Sequence, residues 1–139
     1  MPPTIRSFSE LLRSDRRYKR EAYQFVTEAL DFAREELGMG SPPQYDPHHR
    51  SYDLHLTGQQ LCEAVRIYSL EQFGYMAKVV LNSWGIHSTS DVGEVVYNLI
   101  GIGQMKKSKR DRREDFDNVY EFDEALRKCF RITVTDSIR

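Results

Sequence analysis

Hydrophobic residues recur every three or four positions between about residue 18 and residue 37, the spacing of one face of a helix. The repeating positions are Ala22, Phe25, Val26, Ala29, Leu30, Ala33 and Leu37. Gly38 follows them, and glycine readily adopts the left-handed conformation in which helices end. The pattern therefore predicts an amphipathic helix near residues 18–37. A shorter helix is predicted before it, because Ser7 and Glu10 have the spacing of a capping box.

Three further helices are predicted in the middle of the chain, near residues 58–73, 75–84 and 89–102. Each has an apolar stripe at helical spacing with a glycine after it, and Thr57 and Ser88 are suitable N-cap residues for the first and the third. Gly93 and Gly101 weaken the third helix but can allow close packing. The predicted core positions on the helical stripes are Phe25, Leu30, Leu61, Val65, Val80, Val96 and Leu99.

The pattern changes after residue 103. Residues 104–107 and 119–122 have the character of two short strands, and they predict a small β-hairpin with a polar tip before a last helix that begins at Asp123. The fold prediction is a mainly α domain with a central three-helix unit and this hairpin. Three helices followed by a hairpin is also the element order of a winged helix, which is the α+β variant of the prediction.

The chain of 139 residues has the length of a single domain. We divide it into an N-terminal helical arm (1–40), a loop rich in proline and glycine (41–53) and a main body (54–139). The loop is either a linker or a segment folded back over the core. Hydrophobic residues make up 40% of the chain and charged residues 29%, so extensive disorder is not expected.

The composition also predicts a cytoplasmic protein. No secretory signal or apolar run of membrane-spanning length is visible, and we expect no membrane association. A net charge of −1 gives no general attraction to nucleic acid or anionic lipid. Cys62 and Cys129 lie far apart in sequence, and we expect them to be free thiols in a reducing compartment.

Three runs of sequence resemble the Minf family of uncharacterised small bacterial proteins. They are AYQFVTEALDF, HLTGQQLCEAVRIYSLEQFGYMAKVVLNSWGIHSTSDVGEVVYNLI and REDFDNVYEFDEA. The resemblance extends from about Tyr18 to Ile132 and implies a bacterial, cytoplasmic, one-piece domain. It implies no activity and no catalytic residues, because none is established for that family.

The most unusual local composition is a basic run, KKSKRDRR, at residues 106–113, followed by EDFDNVYEFDE with six acids and no base. Its candidate phosphate or partner contacts are Lys106, Lys107, Lys109, Arg110, Arg112 and Arg113. The alternatives are a solvated loop that the following acids neutralise, and self-association between the basic run of one copy and the acidic stretch of another.

In the winged-helix interpretation, residues 75–84 and 89–103 form the helix-turn-helix and residues 106–115 form the wing. The second helix would enter the major groove. Its sequence, STSDVGEVVYNLIGIG, has two acids and neither lysine nor arginine, so it is poorly suited to binding phosphates. Nucleic-acid binding would therefore need Arg16, Arg17, Lys19 and Arg20 to extend the basic run into one continuous face.

No catalytic, cofactor-binding or metal-binding residues are predicted. His48, His49 and His55 lie near Asp46 and Asp53, but without a recognised metal-ligand spacing. We expect Trp84 to pack at a helix end, and His87 is a possible general base without a nucleophile motif nearby. The predicted function is a non-enzymatic protein-interaction or adaptor module. A winged-helix-like nucleic-acid-binding protein is the alternative, and an enzyme is third.

Overall fold

The structure is a computed structural model that describes residues 7–39, 52–53, 56–106 and 111–126. Within these residues the protein is mainly α-helical, as the periodicity predicts. The helices are α1 (Phe8–Ser14), α2 (Arg20–Glu35), α3 (Gly58–Phe73), α4 (Ala77–Ser83) and α5 (Thr89–Gly101). Short 3-10 helices cover Gly74–Met76 and Arg113–Phe116, and residues 122–126 are also helical.

The predicted helix starts are confirmed by their capping bonds. The Ser7 hydroxyl accepts a hydrogen bond from the Glu10 backbone N–H at 3.1 Å. Thr57 and Gln60 form a reciprocal capping box in which both bonds measure 3.0 Å. Capping satisfies backbone N–H groups that have no partner within the helix, so these short polar residues fix where α1 and α3 begin.

One hydrophobic core lies between α2, α3 and α5. Six of the predicted core residues are buried, namely Phe25, Leu30, Leu61, Val65, Val96 and Leu99. The prediction for Val80 is wrong, because this residue is only partly buried. The core contacts of α4 are instead made by Ala77 and Leu81, which lie four residues apart on the inward face of this short helix.

The prediction of a β-hairpin is also wrong within the described residues. Met105–Lys106 (β2) is a two-residue strand, but it pairs in parallel with Tyr52–Asp53 (β1), not with residues 119–122. The latter residues are held by side-chain contacts in place of strand pairing. The Val119 backbone N–H donates to Thr89 Oγ1 at 3.2 Å, and the Tyr120 hydroxyl donates to the Cys62 carbonyl at 2.7 Å.

The connection between α1 and α2 lies directly against the connection between α4 and α5. The Lys19 backbone N–H donates to the Trp84 carbonyl at 3.1 Å. Gly85 has a φ of +100°, and a Cβ at this position would collide with the Arg17 carbonyl oxygen. Glycine is therefore required at position 85 both for its backbone conformation and for the close approach of the two connections.

A second close approach joins α5 to the 3-10 helix Arg113–Phe116. A Cβ added at Gly93 would lie 2.7 Å from the Cβ of Phe116, whereas one added at Gly101 would meet nothing within 4 Å. The absence of a side chain at Gly93 thus lets Phe116 pack against the backbone of α5, where the Phe116 ring is buried.

No helix in the described part of the chain is both long enough and apolar enough to span a membrane.

Substitution of the two glycines of α5 by alanine should have opposite effects on stability. Gly93→Ala should lower the free energy of unfolding by about 1–3 kcal/mol, because the added methyl group overpacks the contact with Phe116. Gly101→Ala should be neutral or stabilising by up to about 1 kcal/mol, because alanine has the higher helix propensity and the site is open. Urea denaturation of both variants measures the difference, and equal effects would contradict this packing.

Candidate functional site

An apolar patch is exposed where the 3-10 helix Gly74–Met76 leads into α4. Tyr75 is 76% exposed, Met76 41% and Val79 56%. Residues three and four positions apart share one side of a helix, so these side chains form one contiguous surface, which we call the α4 patch. They face outward because α4 turns Ala77 and Leu81 toward the core.

The α4 patch has a polar rim. Lys78, within α4, forms an ion pair with Asp123 of the 122–126 helical segment. Glu71 and Gln72 are exposed at the end of α3, just before the patch. An apolar centre with a polar border is the usual anatomy of a protein–protein interface, and tyrosine is enriched among the residues that contribute most to binding.

Sequence reasoning missed this patch because it treated the apolar residues near 75–84 as one stripe that faces the core, and Met76 and Val79 are among them. A seven-residue helix can turn only one face to the core. The sequence offers two apolar faces, one with Met76 and Val79 and the other with Ala77 and Leu81. The face with Ala77 and Leu81 places a small and a medium-sized side chain toward α3, and both are buried. The signal that could have revealed the patch is that Met76 and Val79 cannot share a face with that pair.

The basic run ends in a side chain that is bound within the molecule. Arg113 Nε donates to Glu94 Oε2 at 2.6 Å, and Arg113 Nη2 donates to the Ser90 carbonyl at 2.7 Å. Arg113 Nη1 donates to Asp117 Oδ1 at 3.1 Å. The other oxygen of Glu94, Oε1, accepts from Arg17 Nη1 at 2.9 Å. One carboxylate of α5 therefore joins Arg17 to Arg113.

Other polar side chains of α5 also bind within the protein. The Tyr18 hydroxyl donates to Asp91 Oδ1 at 2.6 Å. Asn98 Nδ2 contacts Asp15 Oδ2 at 3.0 Å and the Tyr23 hydroxyl at 3.2 Å. A recognition helix needs outward donors and acceptors to read base edges. On α5 these groups are occupied by other parts of the chain, which counts against the usual docking of such a helix in DNA.

The ion pairs alter the acidity of the carboxyl groups that they hold. The hydrogen bond from Arg17 is the main reason why the pKa of Asp15 is well below its usual range. Arg113 and then Arg17 lower the pKa of Glu94. Both carboxylates are therefore charged at neutral pH, and both stabilise the fold in that form.

The predicted contact residues of the basic run have different environments. Lys106 and Arg112 are exposed near its two ends, and Arg113 is bound as described above. Lys107, Lys109 and Arg110 lie outside the described residues. The run is thus not a uniform set of free cations, because Arg113 binds Glu94 and so holds the 3-10 helix Arg113–Phe116 against α5.

The residues considered for metal binding or catalysis give no site in the described part of the chain. His48, His49, His55 and Asp46 lie outside it, and of Asp53 only the backbone is described. No group of three or more potential metal-ligating side chains occurs among the residues described.

Two further residues considered for chemistry have structural contacts. Trp84 packs against the rings of Phe25 and Phe73, with centroid distances of 5.6 and 5.8 Å, as expected for a residue at a helix end. His87 is exposed, and its backbone N–H donates to Asp91 Oδ2 at 2.9 Å. Burial raises the pKa of the Cys62 thiol to about 12, so this cysteine is a poor nucleophile at neutral pH.

Comparison of the chain with protein-family models, with curated proteins and with solved structures finds no match. Function is therefore inferred from the surfaces described above, of which the α4 patch is the most exposed apolar one in the described residues.

The bridge at Glu94 should make stability depend on pH. The pKa of the Glu94 carboxyl is lowered in the folded protein. The stabilisation by this carboxylate is therefore present above its pKa in the unfolded chain, and it is lost as the pH falls through its pKa in the folded protein. Glu94→Gln should lower the free energy of unfolding by about 1 kcal/mol at pH 7, a value that allows for partial solvent exposure.

The difference between wild type and Glu94→Gln should shrink when urea denaturation is repeated near pH 3, because acid protonates the wild-type carboxylate. Glu35→Gln, at an exposed site at the end of α2, is the control and should change stability little at either pH. A gap of the same size at both pH values would contradict the charged bridge.

Proposed function

We propose that the protein is a non-enzymatic interaction module of the adaptor type, and that it binds a protein partner through the α4 patch. The observation that carries this proposal is the exposure of Tyr75, Met76 and Val79 side by side. Single exposed apolar side chains are common, but a contiguous group with a polar rim is typical of partner-binding surfaces.

The size of the α4 patch favours a partner that offers a pocket over a dimer centred on the patch itself. Three side chains with these exposures present on the order of 400 Å² of surface, whereas each side of a stable interface buries about 800 Å². Tyr75 is the most exposed of the three side chains, and its insertion into a pocket would stabilise the complex by about 1.5–3 kcal/mol. Self-association through the same patch is the alternative for the partner.

The origin of the protein forms a second part of the proposal. We infer a bacterial, cytoplasmic protein related to the Minf family, and the support is the resemblance of the three sequence runs from about Tyr18 to Ile132. Cys62 is buried and the pKa of its thiol is raised, which counts against a thiol nucleophile, and an enzyme stays third among the functions considered.

A photo-crosslinking amino acid at position 75 or 79 should capture one specific protein in cells of the native host. Position 59 provides the control, because Gln59 is exposed at the opposite end of α3, about 20 Å from the patch along the helix. The crosslink from position 79 should disappear when Tyr75 and Met76 are replaced by serine, while the melting temperature stays near that of wild type.

The proposal would be wrong if position 59 gave the same product, or if the product survived the serine substitutions. A crosslinked species of twice the mass of the chain, together with dimers in sedimentation velocity that the serine variant lacks, would assign the patch to self-association.

Nucleic-acid binding through the basic run is the alternative function. The exposure of Lys106 and Arg112 favours it. Arg16, Lys19 and Arg20 are also exposed, but Arg17 is bound by Asp15 and Glu94. Glu94 therefore places negative charge between the N-terminal basic residues and the end of the basic run, which opposes one continuous basic face.

A serine variant of the basic run tests this alternative without disturbing the bridge at Glu94. Lys106, Lys107, Lys109, Arg110 and Arg112 are replaced, and Arg113 is kept because it holds Glu94. We expect the wild-type protein to show no binding to labelled duplex DNA or RNA in fluorescence anisotropy at about 0.15 M salt. Micromolar binding by wild type that weakens steeply with salt and is lost in the variant would favour the alternative.

A further inference from the structure

A groove is formed by α1, α2 and the end of α5, which are different elements from those of the α4 patch. Its volume is about 420 Å³, within the range of about 300–1,000 Å³ that is usual for ligand sites. Tyr23 and Leu99 line its base but are only 2% and 4% exposed, so the accessible apolar surface comes from the partly buried Phe8 on the side toward α1.

The groove has opposite charges at its two ends. Arg20 lies at the start of α2, and its guanidinium stands 5.4 Å above the centre of the Phe8 ring, which holds it at that end. Glu28 lies eight residues further along α2, with Asp31 beyond it. Eight residues of an α-helix correspond to about 12 Å, so the positive and negative ends are separated by this distance along the helix axis.

We propose that this groove binds an extended peptide segment of a partner protein with an acidic, an apolar and a basic residue at positions i, i+2 and i+4. Side chains at these positions point to the same side of an extended chain, and four residues span about 13 Å. The acidic residue pairs with Arg20, the apolar side chain packs against Phe8 above Tyr23 and Leu99, and the basic residue pairs with Glu28.

The remaining polar groups of the groove suit a peptide main chain. Gln24 on α2 and Gln104 after α5 line the groove and are exposed. A primary amide both donates and accepts hydrogen bonds, which matches the N–H and C=O groups that an extended segment presents along its edges. The glutamines therefore add binding that is independent of the three side chains of the segment.

This inference does not rest on the α4 patch, since none of the groove residues belongs to it. A chain that holds one partner at the α4 patch and a peptide segment of another in the groove would have the two sites that an adaptor needs.

The test uses two capped synthetic peptides of the same composition. The first is Gly-Ser-Glu-Thr-Leu-Thr-Lys-Ser-Gly, with the alternating spacing, and the second is Gly-Ser-Thr-Leu-Glu-Lys-Thr-Ser-Gly, with adjacent charges. Titration is followed through the NMR signals of the Leu99 methyl groups and the Phe8 ring in the full chain. The first peptide should bind with a dissociation constant in the range of about 0.1–1 mM, and the second up to about fivefold more weakly, the upper end of the effect expected for one exposed ion pair.

Charge reversal in the protein and the peptide provides the stricter test. Arg20→Glu should weaken binding of the first peptide by about fivefold or more, and a peptide with lysine in place of its glutamate should restore the affinity. Arg16→Glu is the matched control, because Arg16 is exposed outside the groove. Position 20 opens α2, where an acid is compatible with the helix dipole, so the variant should keep the wild-type melting temperature.

The proposal would be overturned if neither peptide shifted the Leu99 and Phe8 signals at millimolar concentration. It would also be overturned if both peptides bound equally, because that result would reflect unspecific charge attraction. Equal loss of affinity in Arg16→Glu and Arg20→Glu would also indicate unspecific charge attraction and would overturn the proposal.

Discussion

Glu94 joins three parts of the chain that are distant in sequence. Its two carboxylate oxygens bind Arg17, in the connection between α1 and α2, and Arg113, at the end of the basic run. Because Glu94 projects from α5, the same helix that buries Val95 and Val96 on one side also fixes two connecting segments on the other. The positions of the N-terminal helices and of the 3-10 helix at Phe116 thus depend on α5, through apolar contacts and this bridge.

Much of the helical architecture could be predicted from local sequence. The predictions failed where contacts between residues far apart in sequence determine the structure. The capping pairs Ser7 with Glu10 and Thr57 with Gln60 are only three residues apart, so the sequence shows them directly. The hairpin prediction treated residues 119–122 as a strand on local pattern alone. Their actual partners are Thr89 and Cys62, which are 30 and 58 residues away and cannot be recognised from spacing.

The functional surfaces were harder to predict for the same reason. The basic run is obvious in the sequence, but the ion pair that binds Arg113 appears only when α5 and the 3-10 helix are brought together. The α4 patch exists because Ala77 and Leu81 face the core, and a helix of seven residues gives little periodicity from which to choose. The groove combines residues of α1, α2 and α5, so no single stretch of sequence carries its pattern.

Trp84 is the one tryptophan of the chain, and it lies where α2, α3 and the end of α4 meet. Its indole ring contacts Phe25 and Phe73. Its carbonyl accepts the hydrogen bond from the backbone N–H of Lys19, the residue directly before α2. The intrinsic fluorescence of the protein therefore comes, apart from the tyrosines, from a single junction in the fold. Separation of α2 from α3 would change the polarity around that ring, so emission from the unlabelled protein reports directly on whether this junction is closed.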